Sequence, residues 1–272
     1  MALAAASLWL MAAAPATSMP PDTGVPCPVT KVAFAPPLDQ PMRLKRVILR
    51  SLIHAEFRQT VTYRVQFTRA GRGYRMHWQQ TGHDASGPPE LLRLLALQEE
   101  SAQGETLDFT LDESGALLGV TEAPDAQQKL AEALDRLRKD PALASRPPRE
   151  QANVGQMLDR IAALQPAERA ELHLAKAARL LVAAGRDCTA STITGRDGAD
   201  YGLAKAANLD GTIQLASTTQ DRRSDGSTMT VTTKVAVSPQ TGLAVTNWRS
   251  AHTAAGGVFR NNEDVLTLES EP

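Results

Sequence analysis

The chain has 272 residues, with 29 Lys and Arg against 30 Asp and Glu and a formal net charge of −1. That balance argues against a nucleic-acid binder, and no stretch after the N-terminus approaches the ~20 apolar residues of a membrane-spanning helix. Aromatic residues make up only 4% of the chain, so a core must be filled mainly by aliphatic and small side chains.

Leu3 to Ala14 form an apolar run broken only by Ser7, leading into Ala14-Pro15-Ala16. A run of that length before a small-x-small motif reads as a secretory signal over residues 1–16, although no Lys or Arg precedes it. Export implies a periplasmic or secreted protein in an oxidising compartment. There Cys27 and Cys188, neither in a C-x-x-C motif, are expected to form a disulfide. Closing a loop of about 160 residues would restrict the unfolded chain by roughly 5 kcal/mol.

Residues 17–45 read as a Pro-rich N-terminal arm and 46–272 as a single domain. Charge is unevenly spread. Between Lys31 and Arg75 ten basic residues accompany two acidic ones, whereas 19 basic and 27 acidic residues follow from Met76 onward. One expectation is a basic surface at Arg43, Lys45, Arg46 and Arg50 serving a cell-envelope assembly or structural factor. The other is that these cations pair with the acidic remainder across the fold.

Phe57 to Thr68 alternate almost without fault, with Phe57, Val61, Tyr63, Val65 and Phe67 on one side and mainly Arg and Thr on the other. This predicts a half-buried strand. A turn at Ala70–Gly73 leads to a partner strand that buries Tyr74, Met76 and Trp78, making an antiparallel hairpin. A short helix is expected through Leu91–Leu97, then strands at Thr106–Leu111 and Leu117–Thr121 around Asp112–Gly115. A helical block spans about 125–184, in three segments: Asp125–Lys139, residues 150–164, and one from Pro166 stopped by Gly185. Five strands follow: Thr189–Thr194, Gly211–Gln220, Ser227–Val237, Leu243–Ala251 and Val258–Leu268.

The pattern is α+β: a curved antiparallel sheet of about eight or more strands, built from hairpins, with helices packed on one face. In outline it resembles the periplasmic lipoprotein-carrier architecture, in which helices lie in the concavity of such a sheet. That likeness concerns arrangement and transfers no residues.

Catalytic signals are thin. The five histidines show no tight ligand spacing; His77 with His83 and Asp84 is the one group that could assemble a metal-dependent hydrolase. No G-x-S-x-G motif occurs, and Gly71-Arg72-Gly73 is too short for a dinucleotide fingerprint, so no cofactor is expected. Asp112-Glu113 and Glu263-Asp264 read as solvated turn carboxylates. The favoured expectation is non-enzymatic. Phe57, Tyr63, Phe67, Trp78 and Phe109 would line an apolar cleft on the sheet for a lipid-like ligand, or a surface for an envelope partner.

Overall fold

Period-two alternation dominates this chain, and in the computed structural model it produces one antiparallel sheet of eleven strands. Described are residues 31–51, 55–89, 92, 95–96, 106–182, 186–187, 192–194, 200–203, 211–222, 227–255 and 258–271. Cys27, Cys188 and the expected signal lie outside them, as does most of the helix expected near 91–97. A small antiparallel pair stands apart from the main sheet: β1 (Lys31–Val32) with β7 (Arg186–Asp187).

The N-terminal half of the main sheet comprises β2 (Pro41–Ser51), β3 (Glu56–Ala70), β4 (Gly73–Ser86), β5 (Thr106–Leu111) and β6 (Leu117–Glu122). The C-terminal half comprises β8 (Thr192–Thr194), β9 (Asp200–Leu203), β10 (Ile213–Arg222), β11 (Thr228–Val237), β12 (Ala244–Ala255) and β13 (Val258–Ser270). In space the order is β6-β5-β4-β3-β2-β13-β12-β11-β10-β9-β8. Each half is a run of neighbours in sequence. They join where β2 pairs with β13, from Met42 opposite Ser270 to Arg50 opposite Asn262.

Two expectations shift. The arm does not reach residue 45, because β2 begins at Pro41. This strand carries no clean apolar alternation, since Arg46 and Arg50 share the side of Met42, Leu44 and Ile48. Strand β4 also runs well beyond the expected Tyr74–Trp78 segment, to Ser86, so it carries His83 and Asp84 as well. A register shift between Thr62 and Tyr63 absorbs the extra residue near Gly82.

Because β6 and β8 are opposite edges, the intervening chain has to travel the width of the layer. Helices α1 (Ala126–Arg138), α2 (Pro141–Ala144), α3 (Pro148–Ala163) and α4 (Pro166–Ala178) lie in that connection. Proline opens three of them at a position whose N–H would lack a partner anyway. The Asp140 carboxylate caps α2, accepting from the Ala142 N–H at 2.9 Å. Helices α1 and α3 pack on each other through Leu134, Val154 and Leu158. Helix α4 stops at Ala178, well before Gly185, and Leu180–Val182 turn into the interior. Ala177, Leu180 and Leu181 share one core with Tyr63, Trp78 and Phe109 of the sheet.

Phe34, just after β1, ties the two halves together. Its ring lies edge-on to Tyr74 at 4.9 Å and to Phe67 at 5.9 Å. It also seats against Gly115 in the β5–β6 turn, where a Cβ would lie 2.6 Å from the ring. Next to it, the Ala33 carbonyl occupies the space that a Cβ on Gly242 would need in the β11–β12 turn. Both glycines have positive φ, 79° and 71°.

Gly115→Ala and Gly242→Ala should therefore each cost about 2–4 kcal/mol, combining left-handed strain with overpacking. Gly71→Ala, at a φ of 60° with nothing within 4 Å, should cost about 1 kcal/mol. Urea denaturation of the three variants checks the ranking.

Candidate functional site

The side of the sheet that meets α4 is called the inward face here. Near α4 its residues are apolar, but the row through Asp264 is charged. On β13 Asp264 sits directly opposite Ile48 of β2 and Arg249 of β12. Two residues either side of Ile48, on the same side of β2, come Arg46 and Arg50. Arg179, just past the end of α4, reaches the same carboxylate from the helical side. Four guanidinium groups thus surround one carboxylate, and no other acid occupies an inward position on β2, β3, β11, β12 or β13.

Two of the four arginines engage Asp264 directly. Arg46 donates from Nε to Oδ1 at 3.0 Å and from Nη2 to Oδ2 at 2.6 Å, a two-point contact. Arg179 approaches Oδ2 through Nη1 at 2.7 Å. Its Nη2 also donates to the Asp264 carbonyl at 3.0 Å and to the Asn247 side-chain oxygen at 3.2 Å. Asn247 returns the contact, donating from Nδ2 to the Arg179 carbonyl at 3.0 Å. Neither Arg50 nor Arg249 hydrogen-bonds or pairs with a carboxylate among the described residues, and the buried Nε atoms of Arg50 and Arg179 have no hydrogen-bond partner.

The electrostatics follow from this crowding. Burial alone would raise the Asp264 pKa, but the charges and hydrogen bonds of Arg46 and Arg179 outweigh it and hold the carboxyl at about 2. For Arg46, the pull of Asp264 likewise overcomes desolvation and raises its pKa. Arg50 and Arg179 are lowered, first by burial and then by neighbouring guanidinium groups as well.

The five aromatic side chains expected to line a cleft are all inward and all closed off, with exposures of 0–5%. Tyr63, Trp78 and Phe109 form a chain of ring contacts at 5.3 and 5.9 Å. Lys176 of α4 lies over the Tyr63 ring at 4.1 Å. Phe67 belongs to the same core, and Phe57 packs beside Gly87.

The expected basic surface is divided by strand alternation: Arg43 and Lys45 point outward, Arg46 and Arg50 inward. Arg43 pairs with Glu269 and Arg64 with Glu271, so part of the N-terminal positive charge meets the acidic remainder across the sheet. The hydrolase constellation does not assemble. His77 is on the outward face, 2.9 Å from Asp108, whereas His83 is inward, 3.2 Å from Gln59. The bulge in β4 separates them. The Glu263-Asp264 pair lies mid-strand in β13 and not in a turn.

No family model matches this chain, and neither does any curated protein. Among solved structures, the chain is similar to one described as lipid–protein interactions in lipovitellin, with 8% identity and a TM-score of 0.40 over 88% of its length. It spans only 25% of that protein's chain. It is also similar to DynF from the dynemicin biosynthesis pathway of Micromonospora chersina, with 9% identity, a TM-score of 0.20 and coverage of 96% and 95%. A third likeness is to a porin-like protein from Bacteroides uniformis, with 7% identity, a TM-score of 0.17 and coverage of 84% and 96%. Likenesses this distant assign no function.

Asp264→Asn should destabilise the protein by about 3 kcal/mol at neutral pH, because it leaves the surrounding guanidinium groups without their counter-charge. Since the folded-state pKa is depressed, the carboxylate's contribution is complete above about pH 4 and lost as pH falls toward 2. Urea unfolding at pH 7, 4 and 2.5 should show wild type and variant converging as the pH drops.

Proposed function

We propose that this chain is an exported, non-enzymatic binding protein, and that its ligand docks on the inward face of a sheet curved around the helical block. The observation carrying this reading is the polar row across that face. Ser217 and Thr233 are buried there, in register with part-buried Arg249 and Asp264. Apolar side chains at those positions would contribute more to folding than groups that must be desolvated. Asp264 is held by Arg46 and Arg179, but Ser217, Thr233 and Arg249 take no part in that joint, and polar groups retained outside it fit recognition.

An amphiphilic ligand suits the neighbourhood, because the charged row borders the aromatic core directly. Separation of His77 from His83 favours binding over hydrolysis. Export is supported by the apolar N-terminal run, and the small β1–β7 pair supports a disulfide. That pairing places Lys31 opposite Asp187, close in the chain to Cys27 and adjacent to Cys188.

Expression in a secreting bacterial host tests the whole reading. The mature protein should begin at Thr17 and, unreduced, be 2 hydrogens lighter than its thiol form. Native mass spectrometry or solvent extraction should recover an amphiphile from the purified protein. A cytoplasmic, uncleaved product with free thiols would overturn export. Failure of the protein to retain or bind any amphiphile, charged or neutral, would overturn the binding role.

A further inference from the structure

Building on the inward face as a binding surface, we infer that Arg46, Arg50, Arg179 and Arg249 form a seat for a phosphate monoester group. Strand register carries the argument. Asp264 has Arg249 directly across on one neighbouring strand, with Arg46 and Arg50 diagonal to it on the other. Arg179 adds a fourth guanidinium from the helical layer, itself only 9% exposed.

Among the described residues, one carboxylate leaves three positive charges uncompensated within a few side-chain lengths. Concentrating like charge on a part-buried surface works against folding, whereas outward cations either pair, as Arg43 does with Glu269 and Arg64 with Glu271, or stand exposed to water, as Lys45 and Arg58 do. An oxyanion supplies the missing counter-charge. A phosphate monoester, at about −1.5 to −2 near neutral pH, matches an excess of three better than a single carboxylate does. Its several oxygens suit the planar, forked donors of arginine.

The donor geometry agrees. Asp264 already takes two-point hydrogen bonds from Arg46, which leaves Arg50 and Arg249 as the cations without a carboxylate partner among the described residues. Thr233, opposite Arg249 on β11, adds a polar group to the row, and Asn262, opposite Arg50 on β13, adds one to the row beside it. The phosphate could arrive free or as the head of an amphiphile whose chain lies along the neighbouring apolar positions. Both sources require the same four guanidinium groups.

Calorimetry and thermal unfolding of the full-length protein separate the outcomes, with inorganic phosphate, dodecyl phosphate and neutral dodecyl maltoside as probes. Phosphate should raise Tm and bind less tightly as salt increases. Dodecyl phosphate binding at least about tenfold tighter would identify the headgroup source; equal affinity would identify the free anion. Arg249→Gln and Arg50→Gln should each weaken phosphate binding by about 10- to 100-fold. The same substitutions should leave the Tm of the ligand-free protein unchanged or higher, because they relieve repulsion. That is the reverse of what a purely structural ion network predicts.

Two results would overturn the inference: no binding of either phosphate by folded wild-type protein, or binding that both glutamine variants retain in full. Dodecyl maltoside binding without phosphate binding would remove the phosphate seat and leave the binding role standing. No binding of any of the three probes would remove both.

Discussion

Asp264 is the point at which the sheet is joined to the end of α4. Its carboxylate accepts from Arg46 on a neighbouring strand and from Arg179 just beyond α4, so one side chain joins two neighbouring strands to the end of that helix. The exchange between Arg179 and Asn247 and the bond from the Ala244 N–H to the Leu180 carbonyl at 2.9 Å extend the joint along β12. This joint fixes where α4 must end. With Arg179 committed to the sheet, Leu180 and Leu181 are drawn into the core, and the helix cannot continue toward Gly185. The burial of Tyr63 and Trp78 beneath α4 depends on the same placement.

Strand alternation sorts the N-terminal cations. On β2, odd-numbered Arg43 and Lys45 go outward, where Arg43 finds Glu269, while even-numbered Arg46 and Arg50 go inward, where a single carboxylate among the described residues is within reach. Proximity in sequence therefore separates these cations in space, and proximity across strands gathers others from distant parts of the chain. Arg179 and Arg249 come from a helix end and a C-terminal strand. Such a cluster is a property of register, and a one-residue slip of β2 would send Arg46 and Arg50 to the opposite face.

The parts of the fold written in local alternation were readable from residues alone. The hairpin of β3 and β4, with Val65 and Trp78 buried opposite each other, follows from period two, as does the segregation of Val231 and Val235 from Thr228, Thr230 and Thr232 of β11. The helical block was readable for the same kind of reason, from apolar stripes and opening prolines. Strand β2 was hidden because its inward series includes two arginines, so a rule that equates inward with apolar passes over it. Asp264 was hidden too. Beside Glu263 it looks like half of a solvated turn, and only its pairing with Ile48 and Arg249 reveals it as the carboxylate among four guanidinium groups. Alternation places the aromatic residues on the inward side. Whether they line a cleft or fill a core, however, depends on where Arg179 anchors α4, a contact between residues 85 positions apart in the chain.

The joint and the proposed ligand seat draw on the same residues, and this links binding to the docking of the helical layer. Asp264 satisfies Arg179 only in part, since Arg179 keeps a buried Nε without a partner. An oxyanion placed between Arg50 and Arg249 would add negative charge beside the joint without displacing Asp264, so it would lower the repulsion that Arg179 meets on approaching the sheet. Occupancy and docking would then favour each other, as linkage requires when both draw on one electrostatic environment. The aromatic core lies under the same helix end. A ligand that strengthens the Arg179 joint would keep that core closed, and one that competes with Asp264 for Arg46 would loosen it. The charged row and the buried rings are in this sense one site, with Arg179 as the element common to both.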